Sequence, residues 1–193
     1  MPCHAASTAS PALTTTSNRD NDMQLHETYD YLMRARRDLW QALADVPEEL
    51  LARPLLVGER FHCIKDLVCH IPAVEDGWLH EDILRVPSLW QGVPALRDTT
   101  GGHEYADVPL EVLLAYWRDV EQAMLRYLPT LTNEELQRVV TVHDAPDEHF
   151  TVDALLTHVM LHEVRHTAQV CALLRTQGIT PPSLDLYFYL PRR

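Results

Sequence analysis

Four long stretches carry apolar residues at three- and four-residue spacing, at roughly 23–45, 62–86, 109–129 and 152–177, and they restrict the fold more than any other feature of the chain. That spacing belongs to helices with one buried face, and strand-like alternation is nearly absent. In the first stretch Tyr29, Leu32, Leu39 and Leu43 share a stripe that ends before Pro47. The third opens after Pro109 and brings Val112, Leu113, Tyr116, Trp117, Val120 and Leu128 into its apolar face. The fourth has the clearest ends: Thr151 as N-cap, Asp153 in the first turn, Arg175 in the last, Gly178 as a left-handed stop and Pro181 beyond. The expected architecture is all-α, a four-helix bundle.

The connections refine this picture. Between the second and third helices lies PSLWQGVPALRDTTGGHEYADVP, longer than an antiparallel neighbour needs, so a long crossover loop is expected, placed to shape the mouth of a site. Thr132-Asn133-Glu134-Glu135-Leu136 reads as a capped helical turn, followed by a hairpin candidate between Thr141 and Phe150. Residues 1–22 are rich in Ser, Thr and Ala with no helical period, which predicts a disordered tail, with Met23 as a candidate start and 23–193 as one folded domain.

Charge and composition exclude several roles. With 28 acidic against 16 basic residues and a net charge of -12, and no basic run, a nucleic-acid partner is not expected. No apolar stretch approaches the roughly 20 residues that cross a bilayer, and the first residues lack the layout of a secretory signal. A soluble, cytoplasmic protein with no membrane partner is the expectation. The cysteines are Cys3, Cys63, Cys69 and Cys171; a pair six apart on one helix points in different directions, so free thiols in a reducing compartment are expected.

The histidines carry the chemistry. At about 100° per residue, His162 and His166 lie one turn apart on the face that also holds Leu155, Val159, Val170 and Leu173. His70 shares a face of the second helix with Leu67, Val74 and Trp78. Three inward imidazoles without partners are costly, and convergence on one divalent metal ion satisfies a nitrogen of each. A lone histidine on such a face is usually a hydrogen-bonded core residue, but the i, i+4 pair is the spacing with which two rings grip one ion. His158, a turn earlier, is a competing ligand or a supporting residue and ranks behind His166.

His162-Glu163-Val164-Arg165-His166 also fits H-E-x-x-H, the zincin pattern in which the Glu activates a metal-bound water. The downstream third ligand of zincins has no good candidate after His166, and His70 upstream makes a protease the lesser reading. Glu163 lies about 100° from His162 around the helix and is expected at the solvated surface. Asp66, one turn before His70, reads either as acceptor for a ligand ring N–H or as a helix-face charge. Trp78, Trp90, Tyr116 and Trp117 read as core aromatics or as the lining of an organic-substrate pocket.

From about Met23 to Pro191 the chain resembles the DinB-like (YfiT-type) four-helix-bundle metalloproteins. The resemblance rests on YDYLMRARRDLWQALADVPEELL in the first helix, CIKDLVCHIPAVEDGWL in the second and, most specifically, HVMLHEVRHTAQVCALLRTQG in the last. It implies one metal ligand from the second helix and an i, i+4 pair from the last, which are His70, His162 and His166 here, with Zn or Ni as the ion and Fe or Mn as further candidates. It also implies a homodimer and a metal-dependent transferase that passes a low-molecular-weight thiol such as bacillithiol or mycothiol to an electrophilic substrate. A metal-dependent hydrolase with Glu163 or Asp66 as base, and a non-catalytic, stress-related metal-binding protein, are the alternatives. The chain departs from the family pattern at Pro72, expected to kink or end the second helix, and after the last ligand, where Thr167-Ala168-Gln169 replaces the usual Gly.

Overall fold

The computed structural model describes residues 18–56, 58, 60–97 and 104–192. The helices in chain order are α1 (Asn18–Ala44), α2 (Glu48–Leu51), α3 (Ile64–Asp76), α4 (Pro94–Arg97), α5 (Leu110–Tyr127), α6 (Asn133–Gln137) and α7 (Val152–Thr176). Helix α3 runs on into a π-helical segment, Gly77–Leu84. α1, α3, α5 and α7 form the expected bundle, in which α3 packs between α5 and α7 and α1 lies against both α5 and α7.

The apolar stripes meet in one interior. Leu39, Leu43, Ile64, Leu67, Leu113, Trp117, Val120, Val170 and Leu174 fill one half, and Tyr29, Leu32, Leu79, Met124, Leu156 and Val159 fill the other. The Trp117 ring, with no exposed surface, meets Trp40 edge-on at 5.6 Å between centroids.

α6 is capped by Thr132, whose hydroxyl accepts from Glu135 N at 3.2 Å, and the hairpin follows as β1 (Val139–Thr141) against β2 (His149–Thr151) in antiparallel register. β2 leads straight into α7, where Thr151 accepts from Ala154 N at 3.2 Å. Gly178 stops α7 with a φ of 77°.

α1 begins at Asn18, within the segment 1–22. Residues 1–17, with Cys3, lie outside the described residues. Pro72 does not end its helix: α3 continues to Asp76 with Pro72 buried inside it, and the hydrogen-bond pattern widens to the π form only from Gly77. One missing backbone donor is tolerated because that turn is held by its packing in the core.

The loop after the π segment is pinned to the bundle. The Asp76 carboxylate accepts from Leu89 N and Trp90 N, both at 3.0 Å, and from the Tyr116 hydroxyl at 2.8 Å. Further along, Lys65 Nζ donates to Ala106 O at 2.9 Å. Gly101-Gly102 lie outside the described residues. No described helix is long and apolar enough to cross a membrane.

An added Cβ at Gly178 meets nothing within 4 Å, so Gly178→Ala isolates the backbone cost of the left-handed stop. Denaturant unfolding is expected to show a loss of about 1 kcal/mol; an unchanged midpoint with an unchanged m-value would contradict this account of the helix end.

Candidate metal centre

α3 and α7 cross so that His70 meets His162 and His166, while Trp78, further along the same strand of helix, meets His158, an antiparallel pairing. Nε2 of His70 and Nε2 of His162 are 3.0 Å apart. Ring centroids lie 4.8 Å apart for His70 with each partner and 4.3 Å for His162 with His166. One nitrogen from each of the three falls within 4.8 Å of the others, and among the described residues no Cys, Asp, Glu or further His joins that group. His166 is buried, while His70 and His162 are half-buried, so the cluster sits under the surface and opens toward it.

His162 and His166 are held neutral. Burial, then the neighbouring His166, His70 and His158, push the His162 pKa down to about 3. Burial also lowers His166, against a hydrogen bond from Nδ1 to Gln169 Oε1 at 2.5 Å. With Nδ1 donating there, the lone pair of His166 resides on Nε2. Phe61 lies over His70 at 4.2 Å between centroids and meets His166 edge-on at 6.2 Å. His158 is exposed, 5.8 Å from the His162 ring, with Trp78 packed on its other side at 5.8 Å. It stands beside the cluster and outside the ligand group.

A family model, the DinB family, matches residues 16–192. The chain belongs to the DinB family. No curated protein matches it. For this DinB-family chain the donor set fits a divalent cation. Imidazole nitrogens on a tetrahedral ion at about 2.0–2.1 Å stand roughly 3.3 Å apart, close to the separation already present between His70 and His162.

Glu163, expected in solvent, is buried with 2% of its surface exposed. Its Oε1 accepts from Arg36 Nε at 2.7 Å and its Oε2 from Arg36 Nη2 at 2.5 Å. Both oxygens are thus committed to α1, which takes away the role that H-E-x-x-H assigns to a glutamate. Asp66 is likewise turned from the cluster. Its Oδ2 accepts from His62 N at 2.8 Å and Cys63 N at 3.0 Å, capping α3, and its Oδ1 accepts from Tyr105 N at 2.7 Å.

Of the four aromatics singled out in the sequence, Tyr116 and Trp117 are core, Trp90 belongs to the crossover loop, and Trp78 alone reaches the histidine row. Phe61 and Trp78 supply ring contacts beside the cluster. Cys63, Cys69 and Cys171 are free and buried, and burial raises Cys63 to about 11 and Cys69 to about 12, so both stay thiols at neutral pH.

Sequence reasoning missed Phe61, Gln169 and Arg36. Gln169 carries a faint signal, three residues beyond His166 on a helix; Arg36 carries a better one, because it interrupts the stripe of Tyr29, Leu32, Leu39 and Leu43. Phe61 lies in a loop and carries none.

If Asp66 serves α3 rather than the histidines, Asp66→Ala costs about 1–2 kcal/mol in urea unfolding and leaves metal content at the parent level. Loss of metal without loss of stability would reverse the assignment.

Proposed function

We propose that this DinB-family chain holds one divalent metal ion, Zn or Ni, through His70, His162 and His166, and acts as a transferase that moves a low-molecular-weight thiol onto an electrophilic substrate. The observation that carries the reading is the convergence of three imidazoles at a half-open cluster that no fourth protein donor joins among the described residues. Structural sites are usually closed by four protein ligands, whereas three ligands and an open side belong to catalytic ones. A divalent ion in that position would supply Lewis acidity strong enough to deprotonate a bound thiol near neutral pH.

The chain's own residues then have definable parts. Gln169 fixes the tautomer and the plane of His166, and Phe61 packs on His70 and meets His166 edge-on, holding both rings in place. Trp78 and His158 extend the aromatic row beyond His162 and offer an apolar edge to an organic electrophile. In the transfer the thiol gives its proton to solvent, its sulfur forms the new bond to the electrophilic carbon, and the bond from that carbon to the leaving group breaks, the leaving group departing with the electron pair. The hydrolase reading loses support because Glu163 and Asp66, its candidate bases, spend their oxygens on Arg36 and on backbone donors. The homodimer rests on family resemblance, and light scattering of the purified chain tests it.

Metal analysis of the parent beside His70→Ala and His162→Ala, with turnover of an electrophilic dye by a panel of small thiols, tests the proposal. The expected result is about one metal per chain, lost in each variant, with thiol transfer that follows metal content. Metal without turnover would leave a binding protein, and full metal content in His70→Ala would remove that residue from the ligand set.

A further inference from the structure

We propose that Arg36 is a positioning residue for the histidine cluster, an internal clamp through which α1 sets the spacing and rotation of the two helices that carry the ligands. The inference rests on the metal reading above, and adds a residue that touches neither the ion nor a substrate.

Arg36 is 1% exposed and lies where the four long helices meet. Its Nη2 donates both to Glu75 Oε2 on α3, at 2.8 Å, and to Glu163 Oε2 on α7, at 2.5 Å. A single nitrogen therefore bridges the helix of His70 and the helix of His162 and His166. Glu163 also takes the Nε of Arg36 at 2.7 Å, a forked contact that fixes the rotation of α7 about its axis. Glu163 directly follows His162, so turning it toward α1 turns His162 and His166 toward α3. Nη1 completes the hub, donating to the Tyr29 hydroxyl at 3.0 Å and to Glu121 Oε2 on α5 at 3.2 Å, while Tyr29 donates to Glu75 Oε1 at 2.6 Å.

The composition of the hub argues that geometry is its purpose. Glu75, Glu121 and Glu163 face Arg36 and the half-exposed Arg37, three carboxylates against two guanidiniums, all carboxylates being nearly without exposed surface. Burial raises Glu75 in spite of the pull of Arg36. A buried ionic cluster of this kind is a weak source of stability compared with apolar residues of the same volume, but it admits few alternative arrangements. It joins the ligand helices at Glu75 on α3, between His70 and Trp78 in sequence, and at Glu163 on α7, between His162 and His166, so a shift of one helix past the other would separate the ligand nitrogens.

The hub contains its own control. Glu121 loses the same kind of buried ion pair as Glu163 when changed to Gln, but it sits on α5, which brings no ligand. Cobalt(II) titration of the whole chain, following the visible absorption of the bound ion, is to be compared for parent, Glu163→Gln, Glu121→Gln and Arg36→Met, with urea unfolding of each. The expected result is about tenfold weaker cobalt binding and an altered spectrum in Glu163→Gln and Arg36→Met, with Glu121→Gln within about twofold of the parent and spectrally identical. Equal effects of Glu163→Gln and Glu121→Gln, or affinity that merely tracks unfolding free energy across the set, would overturn the positioning role. Should Arg36→Met fail to fold, the two glutamate variants decide alone. Absence of cobalt binding in the parent would overturn the metal reading and the clamp with it, whereas a parent that binds and a Glu163→Gln that binds identically would overturn the clamp alone.

Discussion

A guanidinium without access to water has to be neutralised where it lies, and Arg36 is neutralised by carboxylates from three other helices. Burial alone would lower its pKa, yet Glu163 and Glu75 outweigh that and hold it charged, well above the ordinary arginine value. Removing one member of such a pair typically costs about 3–5 kcal/mol, because the remaining charge has no water to turn to. Packing of Leu39, Leu67, Trp117 and Val170 supplies the cohesion of the bundle, and the charged hub restricts the ways in which those surfaces can mate.

The histidine cluster depends on that restriction. Nε2 of His70 and Nε2 of His162 come from side chains 92 positions apart in sequence and meet at 3.0 Å. Nothing local to either helix brings them together. α3 is seated at its start by Asp66, along its length by Glu75 and at its end by Asp76; α7 is seated by Thr151 and Glu163. The buried acidic side chains among the described residues are therefore mostly framework, and the candidate site itself is made of imidazoles, Phe61 and Gln169.

Much of this was legible because it is periodic. The four helices follow from apolar spacing, and the i, i+4 pair with His70 was identifiable because all three lie on apolar stripes. The ends of α7 and the cap of α6 follow from single residues with definite chemistry, Thr151, Gly178 and Thr132. The hub was not legible, since its partners to Arg36 lie 39, 85 and 127 positions away and a helical wheel shows one helix at a time. Glu163 was misplaced for the same reason: 100° from His162 is solvent on a helix with one neighbour and core on a helix that also packs against α1. Pro72 does not end α3, because the cost of one lost hydrogen bond is local while the packing that retains the helix is not. Asp66 has an unusual companion, Cys63, at the N-cap, so its capping role lacked the usual Ser, Thr, Asp or Asn.

In the proposed reading, His70, His162 and His166 together form the protein's ligand set for one metal ion. X-ray absorption of the zinc-loaded chain counts those ligands directly. Three imidazole nitrogens at about 2.0–2.1 Å and no cysteine sulfur are expected. Fewer than three imidazoles, or a sulfur shell at about 2.3 Å in the absence of added thiol, would contradict that reading.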